Sequence, residues 1–500
     1  MPGGRPLVSI LIVSYNREGD LRASLDAVFA STYEPIEVIV VDNASRDGAA
    51  EVAAGYGGVR LVRNAENVGF GAANNQALAL ASGEYVALVN NDAVLSPTWV
   101  AELVAFLEAR PRAAAVGGKQ YYWDEGHGPF DRAGPYYGYS ELDAHGGTPA
   151  PVDPPDVVRE VATLSGCAVM VRRAAIDDVG PPFLEPGFFM YYEETDFFAR
   201  AVARGWRLYY RGPTACWHRV GASTAQAPYR YHYFMARNRV LYAFRNFDGR
   251  ALAAALGASL VRLADRALAL PRGGEAPVRL RAELDATLWC LRHGPALLGA
   301  RREHFGRDGA FSRRARDIAE RARRYGDVRA DLEPLVPPGA RRVLHVGCGQ
   351  GAFGAYVRQR RPAVEVYGVE WRAEEADLAR EVLSGVFGAA DEAGRAGPFD
   401  CVVLDERAVA EASGGLAAAL AAWRPLLAPG GALVVSEARP WAGAALERAL
   451  REAGFGAASV RCVGGAWRPR RAARSVRGSR FFQPPASGPR LVAVVRRAPD

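Results

Sequence analysis

The chain has 500 residues and a mass of 53.7 kDa, about three times the length of a typical domain, which predicts two or three domains. Its hydrophobic share of 49% and charged share of 23% exclude both a disordered polymer and a polytopic membrane protein. The net charge of +7 is carried almost wholly by arginine, since Lys119 is the only lysine, and we expect no specific nucleic-acid partner from it.

The cysteines and the apolar runs indicate where the chain resides. The six cysteines are dispersed without a Cys-x-x-Cys pair, which favours a reducing compartment and a cytoplasmic location. The apolar run 7–13 is too short for a signal-peptide core and is predicted to be a buried strand. Residues 251–270 carry Arg262 and Asp265 in their middle, so they are not expected to span a membrane, but an interfacial helix at its inner face stays open.

From residue 7 to about residue 115, apolar strands alternate with helical segments. Strands are predicted at 7–13, 37–41, 60–63 and 85–90. Such alternation implies βαβ units and a parallel sheet whose ligands lie at the carboxyl ends of the strands. Polar clusters follow each of these strands, at 14–16, 42–45, 64–67 and 90–92. We therefore expect the chemistry of this half at that edge of the sheet.

Two later segments have other patterns. Residues 121–155 are rich in Gly, Pro, Tyr and Asp without periodicity and are predicted to be a long functional loop on the acceptor side. After residue 249 come helical segments rich in Ala and Leu, and between 301 and 329 ten arginines face five acids. We interpret this part as a solvated helical linker, with docking to an anionic membrane surface as the alternative.

A nucleotide-sugar site in such a sheet needs groups for the base and ribose, a divalent metal for the diphosphate, and a base for the acceptor hydroxyl. Asp42, after the second strand, suits the base or ribose. Asp92, after the fourth, is a hard oxygen ligand for Mg²⁺ or Mn²⁺.

Four segments resemble glycosyltransferase family 2, particularly its rhamnosyl- and galactofuranosyltransferase-like members: 8–17, 41–45, 66–75 and 90–92. The resemblance covers residues 7–248 and implies a GT-A fold and inverting transfer from a nucleoside-diphosphate sugar. It implies that Tyr15 and Asp42 contact the nucleoside and that Asn67 lies on the donor side. Asn90-Asn91-Asp92 resembles the Asp-x-Asp metal motif with Asn first, which implies Asp92 as the metal ligand and Asn90 as a ribose or phosphate contact.

Two downstream segments extend the resemblance. Residues 190–197 resemble the family's Glu-Asp-x-Asp acceptor motif, whose second position is the catalytic base. That position is Glu194 here, and Asp196 and Glu193 remain alternatives. Cys216-Trp217-His218 resembles the Trp-His element, which implies that His218 completes the metal shell. The aromatic run 229–247, with its Arg237-Asn238-Arg239, is interpreted as a core face with arginines outside or as part of a lipid-linked acceptor site.

A second pattern begins near residue 341. Residues 343–351 are an apolar strand that runs into a glycine-rich turn and a helix, and Glu370 ends the next strand. An acid there holds ribose hydroxyls beside a turn that admits the cofactor. With strands at 399–405 and 426–435, this pattern resembles a class I S-adenosylmethionine-dependent methyltransferase over about residues 341–497.

The second resemblance implies a cofactor site. Its members would be Gly347, Gly349, Gly351 and Glu370, with Asp391 near the adenine. A dinucleotide-binding domain is the competing interpretation, and the Pro-Gly-Gly strand entry at 429–431 favours the methyltransferase. His345 stands where the family has an acid and no methyl-transfer base is identified, so an inactive or merely binding domain stays open.

The sequence thus predicts an α/β protein in three parts: a GT-A glycosyltransferase domain at 1–248, a helical arginine-rich connector at 249–335, and a Rossmann-like methyltransferase domain at 336–500. We expect a metal-dependent, inverting glycosyltransferase of surface-polysaccharide or glycolipid biosynthesis, acting on a glycan or lipid-linked acceptor, with a fused domain that methylates the glycan. The alternative is a non-catalytic assembly protein that retains both folds as binding modules, motivated by Asn90, Glu194 and His345.

Overall fold

The computed structural model describes residues 4–124, 127–132, 136–142, 149–152, 156–219, 227–304, 310–326, 328–404, 415–437, 443–455, 459–463 and 490–496. The chain divides into two compact units, residues 1–153 with 160–319 and residues 154–159 with 320–500. The division into a transferase, a connector and a methyltransferase-like domain stays a prediction.

The first unit is built on a mixed sheet. Its strands, with the hairpin formed by β8 and β9, are β1 Val8–Ser14, β2 Ile36–Asp42, β3 Val59–Arg63, β4 Tyr85–Asn90, β5 Ala93–Leu95, β6 Ala113–Tyr122, β7 Tyr136–Tyr137, β8 Tyr139–Leu142, β9 Pro149–Val152, β10 Val158–Val161, β11 Ala168–Arg172 and β12 Arg207–His218. The order is β10-β12-β6-β11-β4-β1-β2-β3, and β5 and β7 pair with β12 and β6. The first four strands lie within one residue of their predicted bounds.

The central strands are parallel and buried. β1 pairs in parallel with both β2 and β4, and every residue of β1 is buried. A strand that is covered on both faces consists of a continuous run of apolar residues, which is why this strand could be predicted from the sequence. The region 121–155, predicted to be a loop, contains the short strands β7, β8 and β9, because Tyr136 and Tyr137 pair with β6 and the segments 139–142 and 149–152 pair with each other.

Ten helices of the described chain follow or precede these strands, up to residue 325. They are α1 Glu18–Phe29, α2 Ala49–Ala54, α3 Phe70–Leu80, α4 Trp99–Glu108, α5 Arg173–Val179, α6 Glu193–Ala203, α7 Pro228–Asn246, α8 Gly249–Leu268, α9 Ala276–His304 and α10 Ala310–Tyr325. Gly69 precedes α3 with a φ of 90°, and a Cβ there would lie 2.6 Å from the carbonyl oxygen of Phe189. No helix within the described ranges is long and apolar enough to cross a membrane.

The second unit is a seven-stranded sheet with helices between its strands. Its elements are β13 Arg342–Val346, α11 Ala352–Arg360, β14 Glu365–Val369, α12 Ala373–Arg380, β15 Gly385–Phe387, α13 Ala390–Gly394, β16 Phe399–Leu404, α14 Gly415–Trp423, β17 Leu427–Glu437, α15 Gly443–Glu452, β18 Ser459–Val463 and β19 Arg490–Arg496. The order is β15-β14-β13-β16-β17-β19-β18, with β19 antiparallel to both neighbours. The order reverses between β13 and β16, where open α/β sheets bind ligands.

Candidate functional site

The polar clusters of the first unit meet at the carboxyl edge of its sheet. Ser14 at the end of β1 lies opposite Asp42 of β2, and the preceding Val13 lies opposite Asn90 of β4. The amide Nδ2 of Asn91 donates to Ser14 Oγ at 3.3 Å and to the carbonyl oxygen of Asn16 at 3.2 Å, which ties two of the strand-end loops together. Parallel pairing in this register is what brings the separate sequence segments to one place.

Asp42 presents a carboxylate that the protein satisfies only in part. The residue is 5% exposed, and its Oδ2 accepts a hydrogen bond from the Ser45 backbone N–H at 3.3 Å. Its Oδ1 is buried and has no hydrogen-bond partner in the described part of the chain. Buried polar atoms are nearly always paired, so an orphaned oxygen marks a place where a ligand donor fits. Tyr15, its predicted neighbour in the nucleoside site, has a side chain that is 43% exposed.

Asn67 lies in a buried amide network around Asn43, a residue to which the sequence analysis assigned no role. Asn43 Nδ2 donates to Asn67 Oδ1 at 2.9 Å, and Asn43 Oδ1 accepts from Asn64 Nδ2 at 3.0 Å and from the Val68 N–H at 3.1 Å. Asn67 Oδ1 also accepts from the Gly69 N–H at 3.0 Å. The network fixes the loop before α3, so the contacts of the Asn67 amide hold that loop.

Asp92 and His218 face each other across the sheet edge. Asp92 Oδ1 lies 3.1 Å from His218 Nε2, and both side chains are nearly buried. They meet because β5 starts directly after Asp92 and pairs antiparallel with β12, which places Ala93 opposite His218. Asn90 Nδ2 lies 3.4 Å from the same ring nitrogen.

The second ring nitrogen of His218 is held by a residue that the sequence analysis did not single out. The Tyr137 hydroxyl lies 2.9 Å from His218 Nδ1. Burial raises the pKa of this hydroxyl well above its ordinary value, so it stays protonated. When the Nδ1–H of His218 donates to the Tyr137 oxygen, His218 Nε2 keeps its lone pair for a ligand.

The pair fits a divalent cation by atom type and spacing. Two neighbouring ligands of an octahedral ion at about 2.1 Å lie about 3 Å apart, close to the 3.1 Å between Asp92 Oδ1 and His218 Nε2. Carboxylate and imidazole both suit Mn²⁺. Among the residues that the structure describes, no group of three His, Cys, Asp or Glu side chains is gathered as a ligand set. The remaining ligands of an ion here would be substrate and water oxygens.

The turn at Gly166 and Cys167 connects this pair to the predicted base. The Asn90 N–H donates to the carbonyl oxygen of Cys167 at 2.8 Å, while the Gly166 N–H donates to Glu194 Oε1 at 3.3 Å. A Cβ on Gly166 would lie 3.2 Å from Glu194 Cδ, so the absence of a side chain lets the carboxylate approach. Glu194 therefore lies one short turn away from the Asn90–Asp92 segment.

Glu193 and Glu194 begin α6 in different environments. Glu194 is half-buried, and burial raises its pKa. Glu193 is fully buried, and neither of its carboxyl oxygens has a hydrogen-bond partner within the described residues. Burial, and then the neighbouring charge of Glu194, raises the pKa of Glu193 well above its ordinary value. The proton of the pair thus belongs on Glu193, and the negative charge on Glu194.

Asp196 is fully buried in an ion cluster. Its carboxylate accepts hydrogen bonds from Arg245 Nε at 2.7 Å, Arg200 Nε at 2.9 Å and Asn246 Nδ2 at 2.8 Å. Burial alone would raise the pKa of Asp196, but the two arginines outweigh it and the pKa is lowered. These contacts tie α6 to the end of α7.

The backbone directly before Glu193 is strained. Phe189, Tyr191 and Tyr192 have φ angles of 66°, 69° and 77°. A positive φ in a non-glycine residue costs about 1–3 kcal/mol and persists only where neighbouring contacts impose it. We call residues 189–192 the strained segment.

Asn238 and Arg237 of α7 supply those contacts. Asn238 Nδ2 lies 2.9, 2.7 and 2.9 Å from the carbonyl oxygens of residues 188, 190 and 191. Arg237 Nη2 donates to the carbonyl oxygens of residues 187 and 188 at 2.8 and 2.7 Å. Asn238 is 0% exposed, and Arg237 and Arg239 are also buried. Of the two interpretations of this run, the one with arginines outside the core is therefore wrong for Arg237 and Arg239, because Arg237 binds backbone carbonyls and Arg239 pairs with the buried Glu283.

In the second unit, the glycine turn and Glu370 come together. Gly347, Gly349 and Gly351 have φ angles of 76°, 55° and 79°. Glu370 Oε2 accepts from the Gly349 N–H at 2.9 Å and Oε1 from the Arg372 N–H at 3.0 Å. Asp391 is exposed on α13, directly beyond β15.

His345 lies within the core of the second unit. The residue is 1% exposed, and its ring packs edge-on against Phe353 with the ring centroids 4.9 Å apart. It therefore packs as a core side chain.

Part of the chain is similar to a known protein family. Residues 9–180 match the family model described as Glycosyl transferase family 2. The N-acetylglucosaminyl-diphospho-decaprenol L-rhamnosyltransferase of Mycobacterium tuberculosis is 28% identical over 244 residues, which are 44% of this chain and 79% of that protein. The glucosyl-dolichyl phosphate glucuronosyltransferase of Haloferax volcanii is 31% identical over 116 residues, 22% of this chain and 37% of that protein.

The likeness is partial in length. The chain spans between 16% and 45% of the first four curated relatives that it matches. Among solved structures, residues 1–349 of S. aureus TarS in complex with UDP-GlcNAc align with a TM-score of 0.39 and 18% identity, over 64% of this chain and 92% of that one. Because this TM-score is low, the structural likeness carries no argument. The assignment therefore rests on the sequence match and on the geometry of the site.

Proposed function

Since residues 9–180 carry a glycosyl transferase family 2 domain, we propose that this chain is an inverting glycosyltransferase. It would move a sugar from a nucleoside-diphosphate donor to a hydroxyl of a glycan or lipid-linked acceptor, in the synthesis of surface polysaccharide or glycolipid. The observation that carries the proposal is the Gly166–Cys167 turn, which hydrogen-bonds both Asn90 of the metal motif and the carboxylate Glu194. A leaving-group site and a base next to each other are what transfer to a hydroxyl requires.

On the donor side, we assign the nucleoside to Tyr15 and Asp42. The orphaned Oδ1 of Asp42 lacks the kind of donor that a ribose hydroxyl or a base N–H supplies. Tyr15 is exposed enough for its ring to cover the base. Asn67 acts through the buried amide network that fixes the loop before α3.

For the diphosphate, we propose that Asp92 and His218 hold Mg²⁺ or Mn²⁺. The ion, when bound, neutralises charge that develops on the departing diphosphate. We assign the Nδ1 proton of His218 to a hydrogen bond that the Tyr137 hydroxyl oxygen accepts. This tautomer leaves Nε2 unprotonated towards the ion. Asn90 contributes an uncharged amide where an acid would add negative charge beside the phosphates.

We assign the base to Glu194. The acceptor hydroxyl would lose its proton to this carboxylate as its oxygen attacks the anomeric carbon from the side opposite the diphosphate. Burial raises the pKa of Glu194, which makes its ionised form a stronger base. Glu193 stays protonated beside it, and Asp196 is occupied by two arginines, so its role is to hold α6.

The test is transfer or hydrolysis measured with a panel of nucleotide sugars and Mn²⁺. Asp92→Ala and Glu194→Gln should each lower the rate by about 10²–10⁴-fold. Glu51→Gln, a change on a 67% exposed side chain, is the matched control and should leave the rate unchanged. A wild-type rate in Asp92→Ala would refute the metal assignment. If no donor supported transfer or hydrolysis, the proposal of an enzyme would be replaced by that of a non-catalytic assembly protein that binds nucleotides.

For the second unit we propose binding of S-adenosylmethionine and methylation of the glycan. The support is the turn of three left-handed glycines with Glu370 hydrogen-bonded to Gly349, placed where the strand order reverses. Gly351 also has no room for a side chain, since a Cβ would lie 2.9 Å from Val382 Cγ2. The cofactor, when bound, supplies the methyl group.

The alternative of a dinucleotide-binding domain fits the topology less well. That fold has six parallel strands in the order 3-2-1-4-5-6, whereas here β19 is inserted antiparallel between β17 and β18. Calorimetry with S-adenosylmethionine and with NAD distinguishes the two. We expect binding of the first only, and its loss in Glu370→Ala but not in Glu365→Ala, an exposed glutamate at the start of β14, the strand directly before Glu370. Absence of S-adenosylmethionine binding would remove methylation and leave the transferase proposal intact.

A further inference from the structure

Exposed apolar side chains are concentrated on two helices of the first unit. Among the described residues, fourteen large hydrophobic side chains are exposed, and nine of these lie between residues 256 and 298. They are Leu256, Leu260, Val261, Leu268, Leu270, Leu284, Leu288, Leu291 and Leu298. We call them the leucine face. Single exposed leucines are ordinary on proteins, but a cluster of this size marks an interaction surface.

On α8, the apolar residues lie on the side that faces solvent. Leu260, Val261 and Leu268 are 63%, 61% and 75% exposed. They recur at helical spacing, and the exposed residues near them at 257, 264 and 267 are glycine or alanine, with Asp265 as the exposed acid between Val261 and Leu268. A surface helix of a protein that contacts only water presents polar residues there. The solvent side of α8 therefore has the composition of a surface that contacts another apolar surface.

The same holds for α9. Leu284, Leu288, Leu291 and Leu298 are 41%, 60%, 70% and 46% exposed and follow one another at intervals of four, three and seven residues. This spacing keeps them on one side of the helix. The opposite side of α9 is covered, with Ala282 and Ala286 buried.

The charge around the leucine face is positive. Residues 249–304 contain nine arginines against five acids. Arg281, whose side chain is 78% exposed, stands three residues before Leu284, in register with the stripe of exposed leucines on α9. An apolar helix face with arginines along it matches a bilayer surface that carries anionic lipids, where the leucines enter the acyl boundary and the guanidinium groups meet phosphates.

The composition of the stripe argues against a second copy of the chain as the occupant. A helix seam between two copies needs a continuous straight stripe of apolar residues. Here Arg281 occupies one position of the stripe, and Pro295, within α9, occupies another between Leu291 and Leu298. Proline inside a helix removes a backbone hydrogen bond and kinks the helix, which interrupts such a seam but not contact with a fluid surface.

We propose that the leucine face docks the protein onto an anionic lipid bilayer, with α8 and α9 lying in the interface rather than crossing it. The docking stands on these two helices and does not depend on the transferase activity. Combined with the proposed function, it explains how an enzyme without a described membrane-spanning helix would reach a lipid-linked hydroxyl.

The test is flotation of the full chain with vesicles of equimolar phosphatidylcholine and phosphatidylglycerol. Wild type should float, and Leu260→Glu and Leu291→Glu should each bind about ten-fold more weakly, because a carboxylate replaces an apolar group at the interface. Leu80→Glu changes a 39% exposed leucine outside the leucine face and should float like wild type. All three sites are exposed, so folding is expected to survive, which circular dichroism checks.

Three results would overturn the proposal. One is wild type that stays unbound, and another is equal binding by Leu260→Glu, Leu291→Glu and Leu80→Glu. The third is a wild-type protein that binds no vesicles but forms a dimer in light scattering, and a Leu291→Glu variant that is a monomer. That result would show that the leucine face contacts a second copy of the chain. Donor hydrolysis without vesicles should be unchanged in every variant, so a failure of docking is distinguishable from a failure of the transferase proposal.

Discussion

Replacing Asn238 by alanine tests whether α7 positions the base. The substitution removes the amide that reaches the carbonyl oxygens of residues 188, 190 and 191, all within 2.9 Å. The strained segment contains two of these carbonyls, those of residues 190 and 191, and leads directly into Glu193 and Glu194, so the backbone that carries the carboxylate loses the contacts that hold it.

The size of the effect follows from the contacts. An amide has two N–H hydrogens, so Asn238→Ala removes two full hydrogen bonds shared among three carbonyls, together with the bond that Asn238 Oδ1 accepts from Arg237 Nε at 2.8 Å. A buried group left unpaired costs about 1–3 kcal/mol, so we expect a stability loss of about 2–4 kcal/mol. The three positive φ angles store strain of similar size, which the released segment would relieve by moving. A displacement of about 1 Å at a catalytic group costs about 10²-fold in rate.

The assay is steady-state transfer with the donor identified from the panel, together with denaturant unfolding. We expect kcat to fall about 10²-fold with little change in KM for the donor, because Asp42 and Asp92 lie on other segments. The control is Asn74→Ala, a buried asparagine whose amide donates at 3.0 Å within its own helix. It should lose stability and keep kcat.

Two outcomes would refute the reasoning. If Asn238→Ala lost stability but kept the wild-type kcat, the clamp would be purely structural. If Asn74→Ala lost kcat to the same extent, the rate would be reporting general destabilisation.

Three further predictions concern the acids of α6. Through Glu193 alone, wild-type stability should fall by up to about 1.4 kcal/mol per pH unit from pH 4.5 upward, because folded Glu193 keeps a proton that the unfolded chain releases; denaturant unfolding at about pH 5, 6 and 7 should show a smaller fall in Glu193→Gln than in Glu51→Gln, the remainder coming from Glu194, whose pKa burial also raises. The transfer rate should rise with pH through a pKa above 4.5 as Glu194 ionises, and a pH–rate profile whose acid limb lies lower would contradict its assignment. Asp196→Asn should cost about 3–5 kcal/mol, since it removes the buried carboxylate that pairs with Arg200 and Arg245; the pKa of Asp196 is lowered, so its contribution is present above pH 3.8 and is lost as pH falls through the lowered value, and a variant as stable as wild type would show the cluster to be dispensable.

Local pattern was sufficient for the strands and their ends. β1, β2 and β4 are apolar runs followed by polar residues, and both faces of these strands are covered. In a parallel sheet the carboxyl ends share one edge, so Asp42 and Asn90 were predicted to lie together from strand order alone. The glycine turn of the second unit and Glu370 were found in the same way.

The sequence was ambiguous wherever burial and not periodicity mattered. The run 229–247 was interpreted as a core face with arginines outside or as part of an acceptor site, and the sequence did not show that Arg237 and Arg239 are buried, since charged residues seldom are. The leucines of α8 and α9 have the same spacing as core residues of an ordinary helix, and only their exposure distinguishes the two.

What the sequence by itself determined was the α/β class, the edge of the sheet where the polar clusters gather and the motif residues themselves, since these follow from periods of two and 3.6 residues and from short motifs. Only the tertiary structure decided which of those residues meet and which others support them. Tyr137 contacts His218, Gly166 contacts Glu194 and Asn238 holds the strained segment, and each contact joins elements far apart in the chain. Such contacts depend on how strands pair and helices pack, which local sequence does not encode.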